Sequence, residues 1–269
     1  MINEKIKLLD NCDDVYLEIF CPKKVWDITR DAILVLPGGG YISLSEKFEG
    51  EPVALSFASK GINAFVLHYS VGRKRRFPQQ LIEVAAAIKH IKDNHAKYNI
   101  NPDRVFVTGF SAGGHLCASS GILWHMQEIY DAIPMEYGYN KPTGIIPVYP
   151  VVSGIIKDAH LPSFYNLLCT DTPDIETLTK YSLEKWVDEK SSPACIIHGS
   201  CDDVVPVENA LVLADAYRKA GKAFELHIFY DAPHAIGLGN DITSFGNPKF
   251  EQPSFASWVD QSILWMKQI

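Results

Sequence analysis

Apolar runs of strand length alternate with longer helix-patterned segments through most of this chain, and that rhythm restricts the fold more than any single motif. Strands that are each followed by a helix return across the sheet, so they lie parallel, with helices on both faces. Residues 33–36, 64–69, 105–108, 144–149, 194–198 and 224–230, rich in Val, Ile and Phe, are expected as buried strands of an α/β fold. Residues 78–97 carry Leu81, Ile82, Val84, Ala85, Ile88 and Ile91 at helical spacing, and residues 207–220 repeat the pattern until Gly221 stops it. Near the start, residues 6–9 and 15–20 read as an antiparallel pair, and residues 253–267 as a closing helix. The region 153–192 breaks the rhythm with Pro162 and Pro173, which predicts a small lid insertion above the sheet. Without repeats or linkers, residues 1–269 are expected to form a single domain.

A formal net charge of -7 gives no long-range attraction for a phosphate backbone, so no nucleic-acid partner is expected. Residues 1–10 mix charge with isolated apolar residues, unlike a signal peptide, and no later run reaches membrane-spanning length. The expectation is a soluble, cytoplasmic protein without a membrane partner. Six cysteines, at 12, 21, 117, 169, 195 and 201, lack paired CxxC spacing and read as reduced core thiols. Cys201 stands beside a candidate site residue, where a regulatory thiol is conceivable. No His/Cys/carboxylate set has convincing ligand spacing, so neither a metal nor an organic cofactor is expected.

Gly109-Phe110-Ser111-Ala112-Gly113-Gly114 follows the strand candidate 105–108 and opens a helix candidate. Glycine on both sides of the serine permits a sharp turn that lifts the Ser111 hydroxyl above the sheet edge. The helix that follows offers unpaired N–H groups and a positive dipole end where negative charge would develop. Alone, GxSxG is equally consistent with a small-residue turn. Two further segments give it meaning.

Pro37-Gly38-Gly39-Gly40-Tyr41 directly follows strand candidate 33–36, and three consecutive glycines let the backbone turn N–H groups toward a substrate oxygen. A phosphate-binding loop is the competing reading, but no Lys-Ser/Thr follows and GxGxxG spacing is absent. The late segments His198-Gly199-Ser200-Cys201-Asp202-Asp203-Val204-Val205-Pro206 and Asp231-Ala232-Pro233-His234 each fall in a loop after a strand. Together with Ser111 they supply serine, acid and histidine in chain order. The chemistry needs all three, because a serine hydroxyl is a poor nucleophile until a neutral imidazole takes its proton, and a carboxylate must hold that imidazole in one tautomer.

With these segments the chain resembles the α/β-hydrolase superfamily from about residue 33 onward. Within it, Pro-Gly-Gly-Gly-Tyr, Gly-Phe-Ser-Ala-Gly-Gly-His, His-Gly-Ser-Cys-Asp-Asp-Val-Val-Pro and Ala-Pro-His are similar to bacterial acetyl and feruloyl esterases related to the hormone-sensitive-lipase group. The resemblance implies Ser111 as nucleophile, Asp202 as acid, His234 as base, and the N–H groups of Ala112 and of Gly39 or Gly40 as oxyanion donors. Two positions depart from the group's pattern. Pro37 stands where His is common, which predicts altered loop packing with intact catalysis, and Phe110 stands where an acidic residue is usual, which moves the match toward the carbohydrate-ester subgroup.

Among neighbours, Asp203 is expected to face solvent or cap its loop, and Asp231 lies too close to His234 in sequence to be the first choice. His198 and His115 are expected as structural hydrogen-bonding and packing residues. Arg73-Lys74-Arg75-Arg76 is expected as a solvated loop or, less simply, a charged rim, and Tyr41 either shapes an acyl pocket or packs. The expected activity is hydrolysis, through an acyl-enzyme, of short acyl esters, with acetyl or feruloyl groups on sugars or oligosaccharides as the implied substrates. A peptidase of the same fold and a catalytically inactive binding module are the competing readings.

Overall fold

Strands buried on both sides need apolar residues on both, and this chain supplies them alternately. In the computed structural model, which describes residues 2–9, 12–23 and 28–269, the described residues form one eight-stranded sheet. Its strands are β1 (Ile2–Lys7), β2 (Tyr16–Cys21), β3 (Arg30–Leu36), β4 (Asn63–His68), β5 (Ile100–Phe110), β6 (Gly144–Val148), β7 (Ala194–Gly199) and β8 (Phe224–Phe229), in the order β1-β2-β4-β3-β5-β6-β7-β8. The first two ladders, β1 with β2 and β2 with β4, are antiparallel, and the rest are parallel.

Along β3, Ala32, Leu34 and Leu36 join the core on one face while Ile33 and Val35 join the core on the other. In β7, Ala194 and Ile196 divide from Cys195 and Ile197 in the same way. Helices α1 (Glu51–Ser59), α2 (Gln79–Asp93), α3 (Ala112–Ile122), α4 (Leu161–Leu168), α5 (Glu208–Lys219) and α6 (Trp258–Met266) cover these faces. Buried residues of α2, α3 and α5 complete the first core; those of α1 and α6 complete the second. The chain therefore leaves β3 toward one face and β5 toward the other. Loops diverging from adjacent parallel strands open a crevice at their carboxyl ends, where α/β proteins place their ligands.

Several expected boundaries shift. The first strand covers Ile2–Lys7, not residues 6–9, because its ladder runs from Ile2 opposite Cys21 to Lys7 opposite Tyr16; Leu8 and Leu9 instead pack on the core. The helix expected over 78–97 ends at Asp93. Asn94 turns its side-chain amide back onto the His90 carbonyl at 2.8 Å, and a separate helical turn, His95–Tyr98, follows. The closing helix begins with a 3-10 turn, Phe255–Ser257, before Trp258–Met266. Cys12, Cys21, Cys117 and Cys195 are buried, whereas Cys169 and Cys201 are exposed and not core thiols. Among the described residues, no helix is long and apolar enough to cross a membrane.

Between β6 and β7, α4 is followed by the short helix Ile175–Lys180 and the 3-10 turn Leu183–Lys185. Val151, Phe164, Leu178 and Val205 form a small core of their own there.

Candidate active site

Ser111 sits between β5 and α3 with φ 54° and ψ −117°, a conformation that costs a residue with a Cβ about 1–3 kcal/mol. The surroundings enforce it. Ser111 donates its N–H to the Val148 carbonyl at 3.1 Å, and its own carbonyl accepts from the N–H groups of His115 and Val151. The flanking glycines are required by close approach: a Cβ on Gly109 would stand 2.2 Å from the Gly113 carbonyl oxygen, and one on Gly113 would stand 2.3 Å from that of Leu36. Phe110 points below the turn, edge-on to Trp258, which accounts for an aromatic residue before the serine.

Three loops converge above this turn. His234 Nε2 lies 2.9 Å from Ser111 Oγ, and its Nδ1 lies 2.7 Å from Asp202 Oδ2. Burial alone would raise the Asp202 carboxyl, but hydrogen bonds from His198 and His234 and from the Val205 N–H overrule it, and the group is held well below the usual carboxylate range. Its other oxygen accepts from the N–H groups of Val204 and Val205 at 3.0 and 2.8 Å. An ionised Asp202 accepts from His234 Nδ1–H, which leaves a lone pair on Nε2 facing the Ser111 hydroxyl.

The neighbours separate cleanly. Asp203 and Asp231 are exposed. His198 donates from Nε2 to the Val205 carbonyl at 2.9 Å and stands 3.4 Å from Asp202, so it braces the acid's loop. His115 donates from Nε2 to the Tyr181 carbonyl and accepts at Nδ1 from the Tyr41 hydroxyl; burial pulls its pKa down to about 4, which keeps it neutral. Tyr41 is packed. Three of the four basic residues at 73–76 are paired rather than simply solvated: Arg73 with Asp171, and Lys74 and Arg75 with Asp14.

The glycine loop divides its N–H groups. Gly38 donates to Glu49 Oε2 at 2.8 Å, whereas the N–H groups of Gly39 and Gly40 have no acceptor among the described residues. Gly39, at φ 121°, cannot carry a side chain, since a Cβ would stand 2.2 Å from the Ser43 carbonyl oxygen. Ala112 is the first residue of α3, where helix N–H groups lack intrahelical partners. Around Pro37, where a His is common, packing is supplied by Tyr69, whose hydroxyl donates to the Pro37 carbonyl at 2.6 Å.

Sequence reasoning missed four residues here. Glu49 is buried beneath the glycine loop, and Tyr149 donates to it. From α4, Asn166 donates to the Gly40 carbonyl, and His160, hydrogen-bonded to Ser163, has its pKa lowered by burial and by nearby His234. An acidic residue in the turn before a helix carries no sequence signal of burial, and the α4 contacts depend on how the 153–192 segment folds back. Beside the loop and α3, Tyr41, His115, Val151, Ser163, Phe164 and Leu167 are buried against one another and leave no space that admits even a water molecule. At the other end of the sheet's edge, Cys195, Glu225 and His227 bring potential metal-ligand atoms within 4.8 Å of one another, a grouping that strand pairing creates and linear spacing conceals.

Comparison with known proteins agrees with this architecture. Residues 17–217 match the BD-FAE family. The chain is 37% identical over 220 residues to endo-1,4-beta-xylanase B of Butyrivibrio fibrisolvens, covering 80% of this chain and 34% of the relative. It is 33% identical over 212 residues to the acetylxylan esterase of Xylanibacter ruminicola, covering 77% and 41%. It thus spans well under half the length of these two curated relatives. Among solved structures, the acetyl ester-xyloside bifunctional hydrolase of Caldicellulosiruptor lactoaceticus superposes with a TM-score of 0.81 at 31% identity, over 98% of this chain and 96% of that one. MGS-M1, an alpha/beta hydrolase enzyme from a Medee basin deep-sea metagenome library, superposes at 0.80 with 30% identity, over 100% and 97%. With the sheet order, the strained serine turn and these matches agreeing, the chain belongs to the BD-FAE family and has the α/β-hydrolase fold.

Proposed function

We propose that this chain is a serine carboxylic-ester hydrolase that removes acetyl groups from sugars or oligosaccharides. The observation that carries the reading is the hydrogen-bonded chain Ser111–His234–Asp202, set where the N-terminus of α3 meets a glycine loop with two N–H groups that find no acceptor among the described residues. In this reading Ser111 Oγ attacks the ester carbonyl while His234 Nε2 takes its proton, and Asp202 stabilises the resulting imidazolium. The N–H groups of Gly39, Gly40 and Ala112 receive the oxyanion. His234 then protonates the departing sugar oxygen, releasing it as the alcohol, and activates a water that frees the acid from Ser111.

Similarity to an acetylxylan esterase and to an acetyl ester-xyloside bifunctional hydrolase favours acetyl over feruloyl groups. We take residues 1–269 as one domain in which 153–192 act as a small lid, because α4 from that segment packs on the glycine loop. Cys21, Cys117, Cys169, Cys195 and Cys201 are free thiols, which fits the reducing cytoplasm.

Nitrophenyl esters from acetate to long chains, acetylated and feruloylated xylo-oligosaccharides and a peptide amide panel test this, with Ser111→Ala as control. Acetyl esters should be cleaved fastest and Ser111→Ala should be inactive. Faster amide cleavage would move the protein to the peptidases, and no turnover of any substrate would make it a binding module.

A further inference from the structure

We infer that Glu49 is a positioning residue that locks the glycine loop to the His234 loop, holding the oxyanion donors in register with the base. This rests on the esterase reading above. Glu49 ends the helical turn Glu46–Glu49 and is 2% exposed. Its Oε2 accepts the Gly38 N–H at 2.8 Å, and its Oε1 accepts the Tyr149 hydroxyl at 2.8 Å. The same hydroxyl oxygen accepts the Gly237 N–H at 3.0 Å, three residues beyond His234. One carboxylate and one phenol therefore join the segment after β3 to the segment after β8, through the residue that follows β6.

The contacts around this bridge are tight on every side. A Cβ on Gly38 would stand 2.7 Å from Glu49 Oε2, 2.8 Å from the Phe110 carbonyl oxygen and 3.1 Å from Ser111 Cβ, so Gly38 is wedged between Glu49 and the serine. A Cβ on Gly237 would stand 2.7 Å from the carbonyl oxygen of Phe48, the residue before Glu49. The Tyr149 ring meets the His234 ring edge-on at 5.0 Å.

Glu49 does not relay protons to the base. Both ring nitrogens of His234 are already engaged, by Asp202 and Ser111. Its reach to the chemistry runs through the backbone: by binding Gly38 N–H it fixes the peptide planes that follow, whose N–H groups, on Gly39 and Gly40, have no acceptor among the described residues. Misaligning such donors removes transition-state stabilisation while leaving substrate binding nearly intact. A carboxylate is suited to the place because two hydrogens point at it. A Gln side chain keeps an acceptor for Gly38 but turns an NH₂ toward Tyr149.

The test uses the whole chain with Glu49→Gln, Glu49→Ala, Tyr149→Phe and Ser111→Ala, each checked for folding by circular dichroism. Steady-state kinetics on nitrophenyl acetate are measured beside the affinity of an aryl trifluoromethyl ketone, whose serine adduct carries an oxyanion. Glu49→Ala should lower kcat about a hundredfold, and Glu49→Gln and Tyr149→Phe about tenfold, with KM within about threefold of wild type and ketone affinity falling in parallel with kcat. A folded Glu49→Ala with wild-type kcat, or one whose loss lies in KM alone, would overturn the assignment while inactivity of Ser111→Ala left the esterase reading standing. Hydrolysis persisting in Ser111→Ala would bring down both. Should Glu49→Ala not fold, Tyr149→Phe, which deletes a single oxygen, decides by the same criteria.

Discussion

Asn166 reaches across 126 residues of sequence to donate a 2.8 Å hydrogen bond from its side-chain amide to the carbonyl oxygen of Gly40. Its amide oxygen accepts from Arg73 Nε at 2.9 Å, so the orientation of the amide is fixed from both ends. Helix α4 is thereby clamped to the far end of the glycine loop.

Removing that clamp should cost activity more than stability. Asn166→Ala is expected to lower kcat/KM on nitrophenyl acetate about five- to tenfold, as one half-buried hydrogen bond is worth about 1 kcal/mol. Urea unfolding should move by no more than about the same amount. Unchanged kinetics would mean that α4 holds the loop by packing alone.

Asp202→Asn should lower kcat by about a thousandfold or more while the protein stays folded. The amide can still accept from the Val204 and Val205 N–H groups, but it presents an N–H to His234 and stabilises the wrong tautomer, leaving no lone pair on Nε2 for Ser111. Because wild-type Asp202 stays ionised far into acid, its protonation does not shape activity near neutrality. A residual rate within about tenfold of wild type would displace Asp202 from the role of acid.

What could be read from the sequence was whatever is local. Ser111, Asp202 and His234 each follow a strand by a few residues, and the glycines around Ser111 announce a turn that no other residue permits. Glu49, Tyr149 and Asn166 could not be read that way, because their roles exist only once distant loops meet. Glu49 precedes Gly50-Glu51-Pro52, an ordinary helix start, and acidic residues in such turns are usually solvated and favoured by the helix dipole. The helix expected over 78–97 forms but ends at Asp93, for a related reason. Asn94 lies in a polar gap between apolar positions and reads as an exposed helical residue, but it caps the helix, its side-chain amide sharing the His90 carbonyl with its own backbone N–H. Strand existence was legible from Val, Ile and Phe runs; the order β4-β3-β5, which sets the crevice, comes from pairing.

Glu49 gives folding stability a pH dependence of defined sign. Burial pushes its carboxyl up from an ordinary 4.5 to about 6, against the lowering effects of the Tyr149 hydroxyl, nearby His234 and the Gly38 N–H; Tyr69 also faces it. A folded-state value above the unfolded one contributes stability that is complete below about 4.5 and lost as pH rises through about 6. Glu49→Gln lacks that titration. Urea unfolding of variant and wild type should show their stability gap moving about 1.5 kcal/mol in the variant's favour between about pH 4.5 and about pH 8. Asp202 works in the opposite direction, its contribution being present above the ordinary 3.8 and lost only in stronger acid, so it does not mask the effect. A gap that stays constant would mean Glu49 titrates alike in both states.

Acyl-chain preference should be set by Phe164. Its ring is 1% exposed, meets the His115 ring edge-on at 5.6 Å and, packed with Tyr41 beside the glycine loop, fills the space a longer acyl chain would need. Truncation to Ala would cost about 3–5 kcal/mol and confuse specificity with unfolding, so Phe164→Leu is the more useful change. The smaller side chain leaves space along the wall while keeping the small core around Val151, Leu178 and Val205 apolar. Each methylene accommodated is worth about 0.8 kcal/mol, so the ratio of kcat/KM for butyrate over acetate should rise about tenfold in the variant. An unchanged ratio would place the acyl group elsewhere, along the open side of the site.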